Sequence, residues 1–225
     1  CCARSSASLS APVGGPAGYA VVTLHRPSNV DHPDALREAL AVLASLAARV
    51  PLIWPVHPRT RGNMERFGLA ALLRGLPVTL IPPQGYLEML GLMANAKFVV
   101  TDSGGIQEET TALAVPCLTM RENTERPITV TEGTNTLVGR DGALALACVD
   151  AILRDGGKRG RVPELWDGHA ADRIAASCSA KQTAPNGRRR CVMDRGLRRW
   201  RSMDGSSLSQ VRRHHAAASI LCSTA

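Results

Sequence analysis

The stretch Thr101–Glu109 reads "TDSGGIQEE" and follows the apolar run "AKFVV". Two glycines and a serine at the end of a buried strand let backbone N–H groups approach an anion closely. The helix opening after them points the positive end of its dipole at the same spot. Ser103 adds a hydroxyl donor, so Ser103, Gly104 and Gly105 form a candidate phosphate cradle. Glu109 stands one helical turn further on. A carboxylate there can accept hydrogen bonds from ribose hydroxyls, as an acidic residue does in dinucleotide folds. The same spacing also suits a tight turn followed by ordinary helix-start acids. The stretch is neither G-x-G-x-x-G nor a Walker loop, so a hydride cofactor and ATP are not indicated.

Arg126 precedes Pro127 in "RENTERP". A guanidinium there suits a diphosphate because its donors form a planar fork. A surface ion pair with Glu122 or Glu125 is the simpler reading of Arg126 taken alone. His25 closes the run "VVTLH" and His57 closes "PLIWPVH". A histidine at a sheet edge can bind phosphate or transfer protons near neutral pH. One such histidine is more often structural; two at one edge favour function. His32, His169, His214 and His215 have no such context and read as surface residues.

Alternating elements must hold these groups. "YAVVTLH", "PLIWPVH", "VTLIPP", "KFVVT", "PCLTM" and "TNTLVG" read as six short strands. Between them, "HPDALREALAVLASLAARV" has helical period, with Asp31 as its cap and Pro33 in the first turn. "RGNMERFGLAALLRGL", "GYLEMLGLMANA", "GIQEETTALA" and "DGALALACVDAILRDG" supply further helices. Strands that are apolar on both faces and alternate with helices predict an α/β fold. Its centre is a parallel sheet covered on both sides, which is Rossmann-like. In such sheets ligands sit at the carboxyl ends of the strands. His25, His57, the Asp102–Gly105 turn and Arg126 all follow strands, so they are expected on one edge.

The 225 residues suffice for one large domain with a real core. No apolar run approaches the ~20 residues of a membrane span. "CCARSSASLSAPVGG" lacks the apolar region of a signal peptide, so a cytoplasmic protein is expected. The net charge of +8 does not describe the folded part, because residues 177–225 hold ten Lys/Arg against two acids. That tail shows no sustained period, and reads as disordered or as sequence foreign to the fold, such as a shifted reading frame would give. It has one Trp among arginines in "RRWRS" but no aromatic platform, so nucleic acid is not the indicated partner. Seven cysteines without a C-x-x-C read as reduced thiols, not a disulfide frame or a zinc site. The expected organisation is a flexible lead-in over 1–18, the Rossmann-like domain over 19–176 and the basic tail over 177–225.

"VVTLHRPSNVD", "PVHPRTR", "TDSGGIQEE", "MRENTERP", "EGTNTLVG" and "PELWDGHAADRI" occur in this order. Together they resemble the non-hydrolysing UDP-N-acetylglucosamine 2-epimerases, from about Tyr19 to Ile174. The resemblance implies the C-terminal, UDP-binding half of a glycosyltransferase-B-like fold. It implies interconversion of UDP-N-acetylglucosamine and UDP-N-acetylmannosamine, a step in polysaccharide biosynthesis. The C2 proton is removed and UDP eliminated; UDP then adds back to the glycal and C2 is reprotonated on the other face. Neither a nicotinamide nor a metal is implied. Preorganised donors would stabilise charge on the departing diphosphate.

On matched positions, Ser103, Gly104 and Gly105 would hold the diphosphate and Glu109 the ribose. Arg126 and His57 would complete the UDP site, and His25 would be the catalytic histidine. Tyr86–Met89 would lie near the uracil. Many members read His-Arg-Arg-Glu-Asn where this chain has His25-Arg26-Pro27-Ser28-Asn29. The family has two Rossmann-like domains with the site between them, and the first carries the acid/base carboxylates. This chain resembles the second only. It is therefore expected to be inactive alone, pairing with a separate first half or a homodimer partner, or to be a non-catalytic UDP-sugar binding module or degenerate fragment.

Overall fold

The computed structural model describes residues 18–182, with side chains to 178. The expected lead-in and all of the basic tail beyond 182 lie outside the described residues, as do Cys1, Cys2, Cys191 and Cys222. The chain divides into two compact units, Cys1–Pro163 and Glu164–Ala225.

The first unit is built on strands β1 (Ala20–Thr23), β2 (Leu52–Pro55), β3 (Val78–Ile81), β4 (Val99–Thr101), β5 (Cys117–Thr119) and β6 (Asn135–Leu137). They form one sheet in the order β3-β2-β1-β4-β5-β6. Every pairing is parallel. This is the doubly wound order expected of a Rossmann-like domain. Successive side chains in a strand face opposite sides. Val22 and Val100 accordingly join Trp54 and Leu118 on one face, while Val21 and Val99 lie on the other. Residues buried on both faces explain why the strands read as continuous apolar runs rather than alternating ones.

The first face is covered by α2 (Pro33–Ala47) and α7 (Gly142–Asp155). Leu36, Leu40 and Leu43 recur at helical spacing along α2 and are fully buried against Val149 and Ile152 of α7 and the strand residues. Each such leucine contributes about 1.5–3 kcal/mol by burial. The second face is smaller. Met89, Leu90 and Met93 of α4 (Tyr86–Ala94) and Ile106 of α5 (Gly104–Ala112) pack there on Val21 and Val99. The segment "RGNMERFGLAALLRGL", read as helical, holds most of α3 (Pro58–Arg66) and a 3₁₀ turn (Ala70–Leu73).

Two short helices, α1 (Pro27–Val30) and α6 (Pro127–Thr131), were not visible as periodic segments. Each opens on a proline, whose fixed φ and missing N–H suit the first helical position. The cap expected at Asp31 is corrected. His32 is the residue flanking α2, with no side-chain cap bond. Asp31 is drawn elsewhere, to the guanidinium of Arg59 and the amide of Asn63 on α3. In the second unit, α8 spans Ala170–Gln182, so helix continues through 177–182. Among the described residues no helix is long and apolar enough to cross a membrane.

Candidate functional site

Strand order reverses between β1 and β4, and the segments leaving their carboxyl ends meet there. A row of threonines marks the passage from core to edge: Thr23 is in register with Thr101, and Thr101 with Thr119. Leu24 and Met120, next after two of these threonines, are still core, and the polar residues follow them.

After β4, the Thr101 hydroxyl accepts the Ser103 N–H at 3.0 Å. Ser103 then flanks α5 with extended backbone and makes no side-chain cap bond. The first N–H groups of α5 consequently face outward with the positive end of the helix dipole. Neither Gly104 nor Gly105 has positive φ. A Cβ added at Gly105 would meet nothing within 4 Å, and one at Gly104 only a Glu125 oxygen at 3.9 Å. The chain's own packing therefore does not demand glycine at either position; an approaching anion would.

After β1, His25 and Arg26 turn over a carboxylate that the sequence reading left without a role. Asp102 is completely buried. It accepts the His25 N–H at 3.1 Å, the Arg26 N–H at 2.8 Å and the Asn29 amide at 3.1 Å. The His25 Nδ1 lies 3.4 Å from its other oxygen. Asn29 also donates to the Met120 carbonyl, which ties the turn after β1 to the end of β5. His57 stands close by, its ring centroid 6.4 Å from that of His25. Its Nδ1 accepts the Arg59 N–H at the start of α3. The two histidines expected at one edge are thus neighbours. The Thr60 hydroxyl bonded to the Leu24 carbonyl and the Asn63 amide bonded to the Val30 carbonyl fix α3 against that turn.

Arg126 is half-exposed and its Nε lies 2.9 Å from a Glu108 oxygen. The ion pair considered with Glu122 or Glu125 is not the one formed. Glu125 is held by Arg121 in a two-pronged contact at 2.7 and 2.8 Å, which keeps its carboxyl at about 2. Glu109, a turn into α5, is half-buried. Burial, then the charge of Glu108, raises its carboxyl above the usual range. It makes no hydrogen bond or ion pair among the described residues.

A buried polar network links the cradle to the Arg126 loop. Gln107 donates to the Ser103 carbonyl at 3.1 Å and accepts from the Thr124 hydroxyl at 2.6 Å and the Asn135 amide at 3.0 Å. Thr124 in turn accepts the Arg126 N–H. Asn135 accepts from the Thr119 hydroxyl and donates to Thr129. Sequence reasoning placed Asp102 at this edge without giving it a role, and missed Asn29, Gln107 and Asn135. Asp102 carried a signal, an acid directly after an apolar strand. Asn29 and Asn135 carried none, because their partners are remote in sequence.

A cavity of about 250 Å³ opens beside the site, lined among others by Ser28, Asn29, Arg121, Asn123, Gly139 and Arg140. It includes none of the candidate residues. It adjoins them through Asn29, which bonds Asp102, and Arg121, which bonds Glu125.

The family described as UDP-N-acetylglucosamine 2-epimerase matches residues 5–179. The chain is 42% identical over 139 residues to a UDP-N-acetylglucosamine 2-epimerase of Methanococcus maripaludis, covering 60% of this chain and 38% of that protein. It is 45% identical over 123 residues to a UDP-2,3-diacetamido-2,3-dideoxy-D-glucuronate 2-epimerase of Pseudomonas aeruginosa, covering 54% and 33%. Among solved structures it resembles Methanocaldococcus jannaschii UDP-GlcNAc 2-epimerase in complex with UDP-GlcNAc and UDP. The TM-score there is 0.63 with 35% identity, over 72% of this chain and 45% of that one. The chain thus spans a third to two fifths of the length of these curated relatives. By the extent of the family match, the order of its motifs and its sheet topology, the chain belongs to the UDP-N-acetylglucosamine 2-epimerase family.

Proposed function

We propose that this chain binds UDP at the switch point between β1 and β4. There it would serve the interconversion of UDP-N-acetylglucosamine and UDP-N-acetylmannosamine. The observation carrying this reading is the pair of glycines at the head of α5, which face open space without needing to be glycine for packing. Ser103, Gly104 and Gly105 hold the diphosphate. Arg126 leaves Glu108 for the same anion, His57 adds a donor at Nε2, and Glu109 takes the ribose hydroxyls. His25 lies beside the reacting sugar. Buried free thiols such as Cys117 suit a reducing, cytoplasmic setting.

Moving the C2 proton needs an acid and a base placed against the sugar, and the carboxylates at this edge have other assignments, Glu109 being given to the ribose. Asp102 accepts three donors, Glu108 pairs with Arg126, and Glu125 pairs with Arg121. The acid and base would then come from a second Rossmann-like domain, on a longer form of this polypeptide, a separate chain or a homodimer partner. The 225-residue chain alone is a UDP-binding unit. The Pseudomonas aeruginosa relative supports a second reading in which the sugar is a diacetamido-dideoxyglucuronate; the UDP site would be common to both.

Calorimetry with UDP tests the binding. We expect saturable heat for the 225-residue chain. Arg126→Ala should weaken affinity about 10- to 100-fold, as expected for losing a charge-assisted contact of about 1.5–3 kcal/mol. No heat with the folded wild-type chain would contradict the reading.

A further inference from the structure

Asp102 is the one completely buried acidic residue among the described side chains. A carboxylate out of water is costly unless donors surround it. The donors that surround Asp102 come from one short segment: the His25 N–H, the Arg26 N–H and the Asn29 side chain. Its Oδ1 also lies 3.4 Å from the His25 Nδ1. The carboxylate therefore holds the backbone of the histidine and faces its ring at Nδ1. His57 shows the contrasting arrangement, because its Nδ1 accepts a backbone N–H and must carry its proton on Nε2 when neutral.

We propose that Asp102 is the positioning residue for His25, holding the neutral imidazole as the Nδ1–H tautomer so that Nε2 is its basic atom. A carboxylate only accepts, so it faces Nδ1 favourably only when Nδ1 bears hydrogen. Nε2 then carries the lone pair and is the nitrogen that takes up a proton. The same logic fixes tautomer and orientation wherever a carboxylate backs a functional histidine. The two adjacent histidines would thus present opposite chemistry at one edge: His25 a bare Nε2, His57 an Nε2–H. The inference rests on the proposed role of His25 but not on UDP binding.

Nitrogen-15 NMR of the imidazole rings in the ligand-free 225-residue chain tests it. Spectra are taken at a pH where the histidines are neutral, and His25 is assigned with His25→Gln. We expect a pyrrole-type Nδ1 and a pyridine-type Nε2 for His25, the reverse of the tautomer that a free histidine side chain favours in water. In Asp102→Asn the side-chain amide would donate to Nδ1 and the two signals should exchange. If that variant does not fold, the wild-type spectrum decides by itself. A pyrrole-type Nε2 in the wild type, an even tautomer mixture, or an unchanged spectrum in folded Asp102→Asn would overturn the proposal. Loss of UDP binding in calorimetry would instead count against the UDP site, leaving the tautomer result untouched.

Discussion

Glu109 carries the pH dependence of the proposed site. Its carboxyl is raised by burial and then by the neighbouring charge of Glu108. Ribose hydroxyls donate to the ionised form, so UDP should bind more weakly as pH falls through that raised value. We expect the affinity ratio of wild type to Glu109→Gln to shrink as pH is lowered from neutrality, starting at a higher pH than an ordinary glutamate would impose, measured by calorimetry. Titration of UDP itself affects both proteins equally. A constant ratio would remove Glu109 from the ribose. Cys117 gives a second test at this scale. Burial pushes its thiol up to about 11, partly offset by hydrogen bonding with Thr110 and Thr119. Near pH 8 it should stay protonated and resist alkylation in the folded chain, reacting only in urea. Mass analysis of the cysteine peptides reads this directly. Equal rates in both states would contradict the buried position.

At the scale of elements, α5 and the Arg126 loop are joined by Gln107 and Asn135. Gln107→Leu would leave the Thr124 hydroxyl without its acceptor and the Asn135 amide with Thr129 alone. The expected cost is about 1–3 kcal/mol for each buried group left unpaired, read from the urea midpoint. Because Gln107 holds Thr124, and Thr124 holds the Arg126 backbone, its loss should also be non-additive with Arg126→Ala in UDP affinity. Strict additivity would make the network purely structural. These links also show where sequence reading stops. The six strands and the long helices were legible because apolar runs and the Leu36–Leu40–Leu43 spacing reflect burial directly. The glycine turn was legible because its residue types imply an open backbone. α1 and α6 were not, since four or five residues cannot display a period. Asp31 was misread as a cap because its partners on α3 lie 28 and 32 positions away. The same distance effect hid Asn29 and Asn135.

At the scale of the whole molecule, the β1–β4 switch point brings together groups that are far apart in sequence. Asp102 and His25 are 77 positions apart, yet one grips the other. The carboxylates at that edge are either bonded or, for Glu109, assigned to the ribose, so the 225-residue chain alone should give no detectable interconversion of the two UDP-sugars. Adding a domain that supplies free carboxylates should restore it, and turnover by the isolated chain would refute the division of labour. The most direct test of the central claim is amide NMR of the chain during a UDP titration. The account expects the N–H signals of Gly104 and Gly105 to move most, with the Arg126 side chain following. Movement confined to the cavity lined by Ser28, Asn123 and Gly139, with the two glycines unmoved, would contradict it.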